Sequence, residues 1–509
     1  MNRLTESATR EGAIKGTIYQ FLSTLSSFIV GSLFYIYLAK FYTAADVGNV
    51  AILLAIVGIF GAIFSLGLSQ ASQHFISYYL GKGQYSNIRA FITRTLIYGG
   101  VSSVTAMMTL IFLSPFIAGT LFHALSFIGT IQLLSVYVFV FIMFSILSGV
   151  LLGLQRFKRV SIISISTSLL SYGLATVLLF EYHSDSMIVL GWAIGYVLGS
   201  LILLFSVIDF SLRHTEKFAS FSYKEVMLYS SPILFSGIIG TSAAYFDRFV
   251  VAFFMNPATV GIYNFVLLVS SALSIFLIPL YNILLPKFSE LFSIHDTTSI
   301  IKGVRLSSNM INMLYVPAAL GTVALSTRVI LLISQPQYLS ATLPMAIFLI
   351  ISAMFITNGL LVQTVSSIRR TPILVFTAIA SLISNIFLSI FLIPRYGTTG
   401  AAISNSSVNV VTFIILLWYT KLNGVSGLDI VATVKIWLSA GIMALLIFFA
   451  SIEISSNIVY LPILVVIGGV IFFAIARILR VFSTEDKDWL KVLFSNKYVL
   501  LYRLIYIFF

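Results

Sequence analysis

The sequence predicts an all-α polytopic membrane protein: fourteen transmembrane helices, in two parallel pseudo-symmetric six-helix lobes around a central cavity, plus two extra helices. Three observations predict it: the composition, the placement of the positive charges, and a weak internal repeat. Of 509 residues, 59% are hydrophobic and 9% charged, and the mean hydropathy is +1.06. A soluble chain of this length could not cover its surface with so few polar groups. There is no Cys, which excludes disulfides, thiolate metal sites and cysteine nucleophiles.

A bilayer crossing needs about 20 apolar residues. Such runs fall near 16–39, 48–70, 90–113, 125–152, 160–180, 187–208, 229–254, 260–285, 306–327, 341–366, 373–393, 399–420, 435–452 and 458–478. Pro336 and Pro344 interrupt the pattern around 326–341. The polar start, MNRLTESATREGAIKG, leads into a full span without a clear cleavage site, unlike a signal peptide. Past Arg480, Ser483 or Thr484 caps an expected helix with Glu485, Asp486 and Asp488 in its first turn. Its mixture of Lys, Arg and aromatics over 482–509 reads as an amphipathic helix on the cytoplasmic face.

The charges test the count. With the N-terminus cytoplasmic, the inner connections and tails collect 25 of the 29 Lys and Arg. Among them are Lys15, Arg94, Arg156, Arg305, Arg369 and Arg370. Outer connections hold Lys40, Arg328 and Arg395, and Arg248 lies within a span. This is the positive-inside distribution, with both termini cytoplasmic. The net charge of +13 is therefore topological, not a nucleic-acid footprint. The outer loops are too short to fold as a domain, which disfavours a membrane polymerase or ligase.

Residues 38–57 and 251–270 align at a shift of 213: Phe41 with Phe254, Ala45 with Ala258, Val47 with Val260, Gly48 with Gly261. The basic connections around Gln155–Arg159 and Ser367–Arg370 recur at nearly the same shift. Helices 1–6 (residues 1–210) and 7–12 (211–420) read as copies, with helices 13–14 (421–481) added. Six is even, so the copies insert in the same orientation, related by an axis along the membrane normal. In helix 6, Gly191, Gly195 and Gly199 form a small-residue face for close packing. Pro232, Pro279 and Pro317 are candidate bends.

Asp247, followed by Arg248, sits inside the seventh span, where a carboxylate costs several kcal/mol and is a functional candidate. Neighbours i and i+1 do not face each other on a helix, so the two need not pair.

The ordered motifs resemble a known family. Ala45-Asp46-Val47-Gly48, Gly67-Leu68-Ser69-Gln70-Ala71, Gly153-Leu154-Gln155-Arg156-Phe157, Ser231-Pro232, Asp247-Arg248, Val260-Gly261-Ile262-Tyr263 and Gly397-Thr398-Thr399-Gly400-Ala401-Ala402 are similar to those of the Wzx-type polysaccharide transporters. These are flippases of the multidrug/oligosaccharidyl-lipid/polysaccharide (MOP) exporter superfamily. Asn49-Val50 departs from the family, which has an aromatic there. The resemblance implies a MOP/MATE-like inverted V of two lobes and alternating access. It implies a substrate made of an oligosaccharide on a polyprenyl phosphate or pyrophosphate, and a plasma-membrane location. Glycosyltransferases or a polymerase of the same pathway are its expected partners, together with the lipid bilayer. A lipid II flippase and a cation-coupled multidrug exporter of the same superfamily are the alternatives; the latter typically has a carboxylate in helix 1, absent here between Ala13 and Ala39.

Moving such a lipid breaks no bond, so no enzyme activity and no cofactor is expected. It needs a cavity that shields sugar and phosphate from hydrocarbon. Arg suits phosphate because its planar fork bonds bidentately. The candidate cavity residues are Lys15, Arg94, Arg156, Arg248, Arg305, Gln20 and Gln70, with Lys15 and Arg94 ranked first among the inner cations; Asp247 is the candidate H+ or Na+ coupling group. Snorkelling to the interface and an interhelical ion pair are the structural alternatives for the cations and for Asp247. No metal cluster, nucleophilic triad or nucleotide-binding loop is visible.

Overall fold

The computed structural model describes residues 2–213, 223–368, 372–454 and 460–481. The amphipathic tail expected at 482–509 and the basic pair Arg369-Arg370 lie outside them. All regular structure among the described residues is helical. The chain divides into two compact units, one ending at Asn264 and the other beginning at Phe265.

The first unit contains α1 (Asn2–Phe41), α2 (Ala44–Phe64), α3 (Leu68–Gly81), α4 (Tyr85–Leu121), α5 (Ile128–Gly153), α6 (Phe157–Tyr182), α7 (Asp185–Arg213), α8 (Tyr223–Phe254) and the start of α9 (Pro257–Ser274). Apolar burial does not drive helices together inside lipid, so close packing and hydrogen bonds must. Cβ atoms on Gly191, Gly195 and Gly199 of α7 would collide with Ala175, Ser171 and Thr167 of α6, so their absence lets the two backbones touch. Hydroxyls and amides join α1 to α6: Gln20 Nε2 donates to Ser161 Oγ at 3.3 Å, and Ser27 and Ser168 share a 2.8 Å bond. Leu147, Val150, Leu151, Phe91 and Leu203 build a common apolar core among α4, α5 and α7.

The second unit contains the rest of α9, then α10 (Ile278–Ser293), α11 (Thr297–Ala324), α12 (Ser326–Ile333), α13 (Thr342–Met354), α14 (Asn358–Ser367), α15 (Pro372–Leu422), α16 (Ile430–Glu453) and α17 (Tyr460–Ile478). α16 packs on both α11 and α17. Arg328, one of the few cations expected outside, donates to the carbonyls of Ser451 and Ile454 and so satisfies the C-terminus of α16.

Several expected spans are broken helices. The second is interrupted at Leu66 and Gly67, both with positive φ (51° and 64°). The tenth is interrupted between Met354 and Asn358. A carbonyl freed by a break inside the bilayer must find another donor. Ser102 Oγ donates to Phe64 O at 2.6 Å, and Tyr281 Oη donates to Ile356 O at 3.1 Å. α11 and α12 bend by 80°.

α15 has 51 residues, or roughly 76 Å at 1.5 Å per residue, against a hydrocarbon core of about 30 Å. It divides at Gly397, whose φ and ψ of 53° and −128° suit glycine alone. Twelve helices among the described residues are long and apolar enough to cross a membrane, thirteen with the bent pair. Splitting α15 at Gly397 makes this compatible with the fourteen expected.

The repeat is visible in the element bounds. α4 runs from Tyr85 to Leu121, and α11 with α12 from Thr297 to Ile333, so both ends are shifted by 212 residues. The break after α2 at 65–67 lies within three residues of the position equivalent to the 3-10 turn Ile275–Leu277. The aligned glycines also meet. A Cβ on Gly48 would strike the carbonyl of Pro257 and come within 3.0 Å of Gly261 N; a Cβ on Gly261 would strike the carbonyl of Ala44 and come within 2.9 Å of Gly48 N. Ala44 and Pro257 are themselves repeat equivalents. Residue i meets the equivalent of j while j meets the equivalent of i, the reciprocity a local two-fold axis imposes.

Candidate functional site

The centre of chemical interest lies in the first unit, on α8. Asp247 is wholly buried. Its Oδ1 accepts the Arg248 backbone N–H at 2.9 Å, and its Oδ2 accepts the hydroxyl of Tyr263 on α9. A carboxylate taken out of water needs such donors. Its contact with Arg248 runs through the backbone, while the guanidinium is directed elsewhere.

The Arg248 guanidinium lies over the ring of Tyr245, 4.7 Å from its centroid. That i, i+3 spacing puts both on one face of α8, and the ring's negative face attracts the cation. Arg248 is half-buried, and its Nε is buried without a hydrogen-bond partner. Tyr35 of α1 is within electrostatic reach of Arg248 and Tyr245, and bonds the side chain of Asn264.

Aromatic residues continue through the same unit. Tyr137 meets Tyr196 edge-on at 5.2 Å and Trp192 at 5.7 Å. Tyr172 lies 6.3 Å from Trp192 and 5.3 Å from Phe34. Trp192, Tyr137 and Phe34 are buried, so these rings pack the interior of the unit.

Of the residues singled out from sequence, the structure brings Asp247 and Arg248 together with Tyr35, Tyr245, Tyr263 and Asn264. Lys15 lies on α1, its side chain outside the described set. Arg94 is half-buried on α4. Arg156 is the N-cap of α6, with its guanidinium 5.8 Å from the Phe210 ring centroid. Gln20 is used in the α1–α6 bond, and Gln70 is exposed at the start of α3. Arg305 belongs to the second unit. Its Nε makes a 2.9 Å ion pair with Asp429 Oδ2, and Asp429 Oδ1 caps α16 by accepting Ala432 N–H at 2.9 Å.

Sequence reasoning missed the tyrosines. The signal was present for Tyr245, three residues before Arg248, and for Tyr263, the aromatic of the Val260–Tyr263 motif. Tyr35, Tyr137, Tyr172 and Tyr196 are scattered over four helices and give no local pattern. Among the described residues, no group of three or more His, Asp or Glu side chains is placed to hold a metal.

The second unit offers a different surface. A cavity of about 350 Å³ lies between α11, α16 and α17, lined by Met313, Pro317, Met443, Ile447, Val465 and Phe472 among others. It is almost wholly apolar.

Twelve or thirteen apolar spans among the described residues, some of them interrupted, define a multi-pass membrane protein. The chain belongs to the polysaccharide biosynthesis protein family, whose model matches residues 13–292. An uncharacterized membrane protein of Methanocaldococcus jannaschii is 23% identical over 434 residues, covering 81% of this chain and 84% of that one. A Shigella flexneri protein named for O-antigen transport is 25% identical over 296 residues, covering 57% of this chain and 69% of its own. Two solved structures share the fold. The lipid II flippase MurJ in an inward closed conformation has a TM-score of 0.72 at 17% identity, covering 91% of this chain and 99% of that one. An inward-facing multidrug MATE transporter of the MOP superfamily has a TM-score of 0.68 at 12% identity, covering 78% and 94%.

Proposed function

We propose that this protein is a flippase that moves a polyprenyl-phosphate- or pyrophosphate-linked oligosaccharide from the cytoplasmic to the outer leaflet by alternating access. The observation that carries the reading is Arg248: a guanidinium in mid-span, stacked on Tyr245 and among further tyrosines, with its Nε buried and unpartnered. A cation held inside the bilayer with a buried N–H left unpaired is costly. It suits an anionic group that arrives and leaves, and the nearby rings suit the attached sugars. The family match and the name of the Shigella relative support the same substrate class.

In this reading Arg248 binds the phosphate in mid-passage, and Arg94 and Lys15 receive it at the inner side. Asp247 is a coupling group for H+ or Na+, held by Tyr263. The protein acts as a transporter rather than an enzyme, in the plasma membrane, with both termini cytoplasmic and glycosyltransferases or a polymerase as pathway partners.

The test is transbilayer movement of a lipid-linked oligosaccharide in proteoliposomes. Wild type exposes the sugar to an external glycosidase, and Arg248→Ala slows exposure at least about tenfold, one power of ten per 1.4 kcal/mol of lost interaction. Equal rates for wild type, variant and empty liposomes would end the proposal.

A further inference from the structure

The first unit carries a cationic cavity that does not include Arg248. It has a volume of about 690 Å³ and is formed by the N-terminal turn of α6, the start of the apolar part of α1 and the last turns of α7. Three cations in four residues line it: Arg156, Lys158 and Arg159. None of the described residues that line it is a carboxylate. Tyr19 and Ser206 add hydroxyls at the rim.

The remaining wall is hydrocarbon. Ile162 and Ile202 line it, and they are 52% and 50% exposed. They continue along α6 and α7 into Leu169, Val177, Leu198 and Leu201, all exposed. In a membrane-spanning bundle such faces meet acyl chains. The cavity is thus amphipathic along the membrane normal: cations at the helix end, where a span reaches the headgroup layer, and an apolar track running toward the bilayer centre. Basic pockets of this kind between helices suit anionic lipid headgroups. Arg adds bidentate geometry for phosphate.

We infer that this cavity binds a phosphate-bearing membrane lipid, with the headgroup phosphate held by Arg156, Lys158 and Arg159 and a chain lying along Ile162 and Ile202. The shared chemistry is a lipid phosphate. Its source is either a bilayer phospholipid or the polyprenyl phosphate carrier docking on the lobe. The inference does not depend on the flippase reading.

The experiment uses the purified full chain in a neutral detergent, with bound lipid counted by native mass spectrometry. The added lipids are phosphatidylcholine, phosphatidylglycerol or undecaprenyl phosphate. The test variant is Arg156→Gln/Lys158→Gln/Arg159→Gln. The control, Lys82→Gln/Lys302→Gln/Lys421→Gln, removes the same charge elsewhere. Thermal midpoints before lipid addition establish that both variants fold.

Wild type is expected to retain one anionic lipid at least about tenfold more tightly than phosphatidylcholine. The test variant loses that preference about tenfold and the control keeps it. Preference for phosphatidylglycerol identifies a bilayer lipid, and preference for undecaprenyl phosphate identifies the carrier. The inference is overturned if both variants lose binding equally, if wild type does not discriminate, or if 10 mM inorganic phosphate displaces the lipid completely. If the test variant alone fails to fold, Lys158→Gln/Arg159→Gln, two exposed side chains, replaces it under the same criteria.

Discussion

Replacing Gly48 and Gly261 by alanine, singly and together, probes the reciprocal crossing of α2 and α9. A Cβ on Gly48 would lie 2.6 Å from the carbonyl carbon of Pro257 and 3.0 Å from Gly261 N. Non-bonded heavy atoms prefer about 3.5–4.0 Å, and the Pro257 carbonyl oxygen would lie nearer still, so the backbones must part by well over ~1 Å. Both contacts are with main chain, which cannot swing aside, so the cost falls near the top of the overpacking range, about 3 kcal/mol. Alanine's higher helix propensity returns about 1 kcal/mol, leaving a net loss of roughly 2 kcal/mol for each single variant.

One opening of the crossing accommodates both methyl groups. The double variant should therefore lose well under the roughly 4 kcal/mol that independent sites would sum to, a coupling of about 1–2 kcal/mol. Gly173→Ala on α6, with nothing within 4 Å of its Cβ, is the control and is expected to be neutral or stabilising. Denaturant unfolding of the full chain in detergent, followed by circular dichroism, reads all four. Additive losses in the double variant, or neutral single variants, would refute the reciprocal contact.

Arg248→Lys should transport little better than Arg248→Ala, because an ammonium lacks the planar fork; recovery to wild-type rate would show that charge alone suffices. Tyr263→Phe and Asp247→Asn each remove part of one buried bond, so their destabilisation, on the order of 1–3 kcal/mol, should be strongly non-additive in thermal unfolding. Asp429→Ala should cost more than Arg305→Ala. It removes an N-cap, about 1 kcal/mol, as well as the ion pair, whereas Arg305 is 47% exposed and its loss costs no more than about 1 kcal/mol. Asp296 caps α11, and hydrogen bonds from Ser299 hold its carboxyl below the ordinary value of 3.8. Its capping is therefore present above pH 3.8 and is lost as pH falls through its lower folded value. Protection of the first turn of α11 should collapse on that acid side in wild type, and Asp296→Asn should flatten the change.

The spans were legible because apolar length marks them. Gly48 and Gly261 betrayed the repeat because a close backbone crossing tolerates no other residue. The breaks at Leu66–Gly67 and after Met354 were not legible. The residues on both sides are apolar, and the repair comes from Ser102 and Tyr281, 38 and 75 residues away. Asp247 stood out by its cost in lipid, but its partner Tyr263 lies on the next helix. Arg305 read as a cavity candidate because nothing local announces Asp429, 124 positions later. Tyr35 reaches Arg248 from α1, more than 200 positions earlier, so only the folded unit shows the two as neighbours.

The most direct measurement is glycosidase accessibility of a lipid-linked oligosaccharide in proteoliposomes holding wild type or Arg248→Ala. The account predicts rapid exposure of sugar with wild type and at least about tenfold slower exposure with the variant, one power of ten per 1.4 kcal/mol. Wild-type vesicles that leave the sugar protected while exchanging a cationic dye for protons would contradict it.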